Sequence, residues 1–133
     1  MWYLTPSMIL GTGVDITEVP RIQRMLTVYG ERFLKRVFTF EEIRYCTGKV
    51  NTAERLAARF AAKEAALKAL GTGLRGGITW KDVEVVRLPG QRPQLRFHGK
   101  AAQIADALGS KRTHLSLSHT ADQAIAHVIL ESE

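Results

Sequence analysis

RFAAKEAALKALGTG, residues 59–73, decides how the chain is read, because it sets Arg59, Lys63, Glu64 and Lys68 close to the apolar side of one helix. With Phe60 at zero on a wheel of about 100° per residue, Leu56 and Leu67 fall within about 40° of it, and Glu64 sits at about +40°. Glu64 therefore stands at the edge of the expected buried stripe. Lys68 lies one turn further on beside it, and Lys63 and Arg59 lie on the other flank. Asn51-Thr52-Ala53-Glu54 supplies a start signal and Gly71 a stop, which frames a helix over 52–70. On a solvated face a Glu64–Lys68 pair is worth only about a few tenths of a kcal/mol, so these charges alone do not separate a surface ion pair from a site.

Upstream, residues 8–14 (MILGTGV) alternate as a strand, with Ile9, Gly11, Gly13 and Asp15 on one side and Leu10, Thr12, Val14 and Ile16 on the other. Two glycines on one face let something approach the backbone closely beside Asp15. From Thr17 the pattern turns helical, with Pro20 in the first turn, an apolar stripe of Ile22, Met25, Leu26 and Tyr29, and Gly30 as its end. A short helical piece (ERFLKRVF) follows. Thr39-Phe40-Glu41-Glu42 then matches a capping box and predicts a helix from Phe40 toward Cys46. Beyond the Gly-rich loop GTGLRGG, VEVVRL and QLRF read as a hairpin, Lys100–Leu108 as a helix closed by Gly109, and THLSLSHT and QAIAHVIL as two closing strands. With helices clustered early and antiparallel strands late, the fold class is α+β, in one compact domain.

The 133 residues suffice for one core, and 45% hydrophobic with 24% charged residues is ordinary for a globular protein. No run is long and apolar enough to span a bilayer, and MWYLTPSMILGTG lacks the plan of a secretory signal, so a cytoplasmic, membrane-independent protein is expected. Cys46 is the only cysteine, which excludes an internal disulfide and reads as a small core hydrophobe. Nineteen Lys and Arg against thirteen Asp and Glu leave +6, a charge that favours anionic partners without saying which.

Asp15 sharpens the reading. Two carboxylates brought together repel unless a cation or proton intervenes, and Mg²⁺ held by one or two carboxylates plus waters and phosphate oxygens is the usual arrangement at phosphoryl-transfer sites. Lys68 and Arg59 are then candidates for other phosphate oxygens, and the loop opening at Gly71 offers backbone amides to a nucleotide. Spacing alone does not bring Asp15 and Glu64 together.

GTGVDIT followed by RFAAKEAALKALGTG resembles the two-part signature of the holo-acyl-carrier-protein synthases, the small bacterial class of 4′-phosphopantetheinyl transferases: G-x-G-x-D-[aliphatic], then R-[FW]-x-x-K-E-[AS]-x-x-K on a long helix. The endings HLSLSHT and AIAHVIL resemble the family's last strands, so the likeness runs from Met8 to near the C-terminus. Residues 1–7 read as an N-terminal extension or leader and 8–133 as the transferase domain. Thr12 departs from the pattern, standing where a larger aliphatic residue is common.

The resemblance implies a long central helix packed on a small, mainly antiparallel sheet. It also implies transfer of phosphopantetheine from coenzyme A to a serine of apo-acyl carrier protein, a step that supports fatty acid biosynthesis. Asp15 and Glu64 would be the Mg²⁺ ligands and, with Lys68 on the phosphates, the catalytic set; Arg59, Gly71 and His114 would serve the nucleotide end. Arg21, Met25, Arg32, Phe33 and Arg36 occupy positions resembling those that grip the acidic carrier, although core packing explains Met25 and Phe33 equally well. The family further implies a homotrimer with active sites between subunits. His119 and His127 read as structural, and His98 as a loop residue. A non-catalytic basic module for nucleic acid accounts for the +6 charge, but it leaves Asp15 and Glu64 unexplained and lacks an aromatic platform or basic run.

Overall fold

A computed structural model describes residues 6–133; part of the 1–7 segment therefore lies outside the described residues. The chain runs β1 (Ile9–Glu18), α1 (Val19–Tyr29), α2 (Glu31–Val37), α3 (Phe40–Cys46), α4 (Thr52–Leu70), a 3₁₀ turn (Trp80–Asp82), β2 (Val83–Val86), β3 (Gln94–Phe97), α5 (Gly99–Leu108), β4 (Arg112–His119) and β5 (Gln123–Glu131). β1, β5 and β4 form an antiparallel sheet in that order, and β2 and β3 form a separate hairpin. This is the expected α+β domain with a long central helix.

Local signals act as the sequence suggests. Thr39 and Glu42 complete a reciprocal capping box at α3, and Gly71 and Gly109 close α4 and α5 in the left-handed conformation that glycine adopts without strain. Asn51 precedes α4 but does not cap it; its side-chain oxygen accepts from Arg55 Nε at 2.8 Å instead.

α4 lies across the inner face of the sheet. The glycines of β1 make room for it: a Cβ on Gly13 would sit 1.9 Å from the carbonyl oxygen of Ala65, and one on Gly11 would sit 2.1 Å from that of Ala69. What approaches the glycines is thus the chain's own helix. Ala124, Ala126, Val128 and Leu130 of β5 are buried on the same face. At one end of α4, Leu56 and Phe60 pack with Ile22, Phe33 and Phe38 of the early helices; at the other, Leu67 and Leu70 pack with Val83, Val85, Ala101 and Ala105.

Three expectations are corrected. β1 does not yield to a helix at Thr17: its ladder with β5 continues to Glu18, opposite Gln123, so Asp15 is within the strand and α1 starts at Val19. A register shift between Ile9 and Gly11 swaps the first two side chains, leaving Ile9 exposed while Leu10 packs against the core. Finally, Arg59 and Lys63 are not on a flank of α4. Thirteen of its nineteen residues are buried, so the helix is enclosed on most sides and both bases lie inside, Lys63 at 0% exposure.

Candidate active site

The Gly11 and Gly13 contact fixes which residues of α4 face β1. Asp15, next along that strand face, shares its surroundings with Glu64 and Lys68. Lys68 Nζ donates to the carbonyl oxygen of Val14 at 2.9 Å and to Asp15 Oδ1 at 3.3 Å, while Thr17 Oγ1 donates to Asp15 Oδ2 at 2.8 Å. Burial, and then the negative charge of Asp15, push the Glu64 carboxyl above its ordinary range; Lys68 and Arg21 pull the other way. Asp15 and Glu64 are thus near enough for one charge to act on the other at a half-buried place, with Lys68 loosely engaged to Asp15.

The donor set suits a divalent cation such as Mg²⁺. Among the described residues no group of three or more His, Cys, Asp or Glu is arranged to hold a metal. Two carboxylates leave the remaining positions to water and phosphate oxygens, which is how Mg²⁺ is commonly held beside a phosphorylated substrate.

Beside this pair lies a groove of about 470 Å³ between α1, α2 and α4, lined by Arg21, Met25, Tyr29, Arg32, Phe33 and Arg36 over a floor that includes Phe60 and Trp80. All five residues assigned to carrier recognition are in it. Arg21 stacks over the Phe60 ring at 5.6 Å and Arg32 over Tyr29 at 5.8 Å, so two guanidinium groups are held on aromatic supports. Phe33 belongs both to the core and to the groove wall, whereas Met25 is only half-buried.

A second cavity of about 380 Å³ contains Tyr45, Arg55, Arg59, Arg87 and His119. The Arg59 guanidinium lies 4.3 Å from the Tyr45 ring centre, and its buried Nε has no hydrogen-bond partner. Burial opposes ionisation of Tyr45, yet the Arg55 hydrogen bond and the charges of Arg87, Arg59 and Arg55 hold its phenol below the ordinary value. A buried arginine donor without a partner, on a cavity lined by two further arginines, is a donor set that an anion would satisfy. Arg59 is joined there by His119 rather than by His114, whose Nε2 lies 2.9 Å from Glu131 Oε1 near the far end of β4. Only the contact of β4 with α4 could have told the two histidines apart. Gly71 ends α4 one turn beyond Lys68 and opens the loop.

The two sites lie on different sides of α4. Arg59 and Glu64 are five residues apart, or about 140° around the helix. In the sheet, Asp15 pairs with Ala126 and Ala126 with Leu117, which borders the second cavity; two strand spacings, about 10 Å, separate them.

Comparison with known proteins agrees in fold and sequence. A model of the 4′-phosphopantetheinyl transferase superfamily matches residues 11–128. The holo-[acyl-carrier-protein] synthase of Koribacter versatilis is 64% identical over 124 residues, covering 93% of this chain and 99% of that protein. The crystal structure of holo-[acyl-carrier-protein] synthase from Neisseria meningitidis superposes with a TM-score of 0.82 at 34% identity, over 92% of this chain and 98% of that one. The Bacillus anthracis synthase, solved in complex with CoA (3′,5′-ADP), gives 0.77 at 36% identity, over 95% and 99%.

Proposed function

The chain belongs to the 4′-phosphopantetheinyl transferase superfamily, among the holo-[acyl-carrier-protein] synthases, and from that premise we propose how its residues divide the reaction. It transfers the 4′-phosphopantetheine group of coenzyme A to a serine of apo-acyl carrier protein, releasing adenosine 3′,5′-bisphosphate. The observation that supports the assignment is the Lys68–Asp15 contact, with Glu64 near enough to feel the charge of Asp15, next to a basic and aromatic groove.

Asp15 and Glu64 would hold Mg²⁺, which would supply positive charge to offset that developing on the phosphates. Thr17 fixes one oxygen of Asp15 by its hydrogen bond, leaving the other toward Lys68. Lys68 is 55% exposed, so it can leave that contact for a phosphate oxygen without a large desolvation cost. In the groove, Arg21, Arg32 and Arg36 steer the acidic carrier while Met25 and Phe33 anchor it, bringing the serine to the edge where Arg21 also feels Glu64. Arg59 with Arg55, Arg87 and His119 takes a phosphate at the nucleotide end.

Two sites on opposite sides of α4 are reconciled by assembly. Beyond the helix, the outer face of the sheet carries Val14, Ile16 and Ile125 at 42–56% exposure, an apolar surface that burial against other copies would cover. A homotrimer brings the cavity of one subunit to the carboxylates of its neighbour. No helix among the described residues is long and apolar enough to cross a membrane, and we place the enzyme in the cytoplasm.

The test is incubation with coenzyme A, Mg²⁺ and apo-acyl carrier protein, followed by intact-mass spectrometry of the carrier. The expected result is one phosphopantetheine added per carrier, abolished by EDTA and restored by Mg²⁺. Full transfer in EDTA would remove the metal from the reading, and light scattering showing only monomer would remove the shared site.

A further inference from the structure

Lys63 neighbours Glu64 in sequence but enters a different environment. Its ammonium is fully buried and donates to Glu42 Oε1 at 2.7 Å, to the carbonyl oxygen of Trp80 at 3.3 Å and to that of Val83. All three of its protons have an acceptor. Glu42 is used as completely: Oε1 also accepts from the Thr39 backbone N–H at 2.9 Å, and Oε2 accepts from that of Val85 at 2.9 Å. One buried pair thus ties α4 to the start of α3, to the 3₁₀ turn and to β2.

Between Phe60 and Leu67 the rest of the α4 interface is smooth. Its buried residues there, Lys63 apart, are Ala61, Ala62, Ala65 and Ala66, and against β1 Ala65 and Ala69 meet Gly11 and Gly13. Small side chains permit close approach but resist rotation poorly, having few knobs to interlock. A side-chain tip about 5 Å from a helix axis moves roughly 2 Å when the helix turns by about 20°. Displacement on the order of 1 Å at reacting groups can cost about 10²-fold in rate. A buried ion pair is a weak source of net stability compared with apolar packing, and its best-attested use is to select one arrangement among several.

We propose that Lys63, locked by Glu42, is a positioning residue that sets the rotation of α4 and thereby the placement of Glu64 opposite Asp15. The proposal rests on the reading of Glu64 as a cation ligand. Trp80, whose carbonyl receives Lys63, stacks on Phe60 with ring centres 5.0 Å apart, and both border the carrier groove. The same strut therefore fixes the groove floor and the carboxylate together.

The experiment compares the parent with Lys63→Met/Glu42→Gln, in which both charges are removed, and with Glu42→Gln alone, which is isosteric and keeps an acceptor. Thermal melts establish folding, steady-state transfer gives kcat and both KM values, and EPR follows Mn²⁺ binding with coenzyme A present. The double variant is expected to lose about 10²-fold in kcat with each KM within about threefold, and to bind Mn²⁺ about tenfold more weakly. Glu42→Gln should show the same pattern at about a tenth of the size in kcat. Should the double variant not fold, the isosteric one decides. A folded variant with kcat within about twofold of the parent, or with its loss confined to KM, overturns the proposal. Failure of the parent itself to transfer would instead overturn the assignment of function.

Discussion

α4 carries two lysine–carboxylate pairs five residues apart, and they behave as different objects. Lys63–Glu42 is 2.7 Å long, with both side chains at 0% exposure and every donor and acceptor engaged. Lys68–Asp15 is 3.3 Å long, 55% and 15% exposed, with a second carboxylate alongside. The closed pair specifies structure because a buried charge must be satisfied by the fold itself. The open pair stays within reach of solvent with a second carboxylate nearby, so its partners can be exchanged, and it is there that we propose the cation and phosphate bind.

The comparison breaks most visibly at Lys63. Lys63→Ala leaves Glu42 charged and alone in the core, so urea denaturation should show a loss of about 3–5 kcal/mol. Next in size, Glu64→Gln should lower the transfer rate by about 10²–10³-fold. Because burial and Asp15 disfavour its ionised form, the melting temperature of that variant in EDTA should not fall below the parent's; a large drop would make Glu64 structural. Lys68→Met sharpens the contrast with Lys63: it should change stability by less than about 1 kcal/mol while slowing transfer about tenfold or more, read from parallel melts and rate assays.

The smallest effect is in pH dependence. The folded Glu64 carboxyl titrates above its ordinary range. In cation-free protein its contribution is therefore most favourable below the ordinary value and is lost as pH rises through the raised one. Cation binding runs the other way, weakening as pH falls through that raised value. Mn²⁺ affinity measured against pH should show its acid limb above the ordinary glutamate range, and a limb at or below that range would contradict the environment described for Glu64.

Much of the fold was legible because its signals are local. Thr39 and Glu42 announce a cap within four residues, and Gly71 ends α4 where expected, since these effects depend on backbone groups within one turn. The end of β1 was not legible: Thr17–Glu18 remain extended because β5, more than a hundred residues away, pairs with them. The groove residues Arg21, Met25, Arg32, Phe33 and Arg36 came from likeness to a family, and the structure gathers all five into one place. That His119, read as structural, borders the second cavity was not legible, since alternation along β4 gives the side of a strand but not which cavity borders its end.

By itself the sequence determined the helices, the strands, the capped helix ends and the motif that names the family, all from periodicity, caps and residue order. It also placed Glu64 at the boundary of a buried stripe. Only the tertiary structure decided that Lys63 and Arg59 are interior while Lys68 is open, because burial of a helical side chain depends on how many neighbours surround the helix. A wheel knows one axis; α4 is enclosed by β1, β5, the early helices and the β2–β3 hairpin, and that enclosure sorts its charges into structure and function.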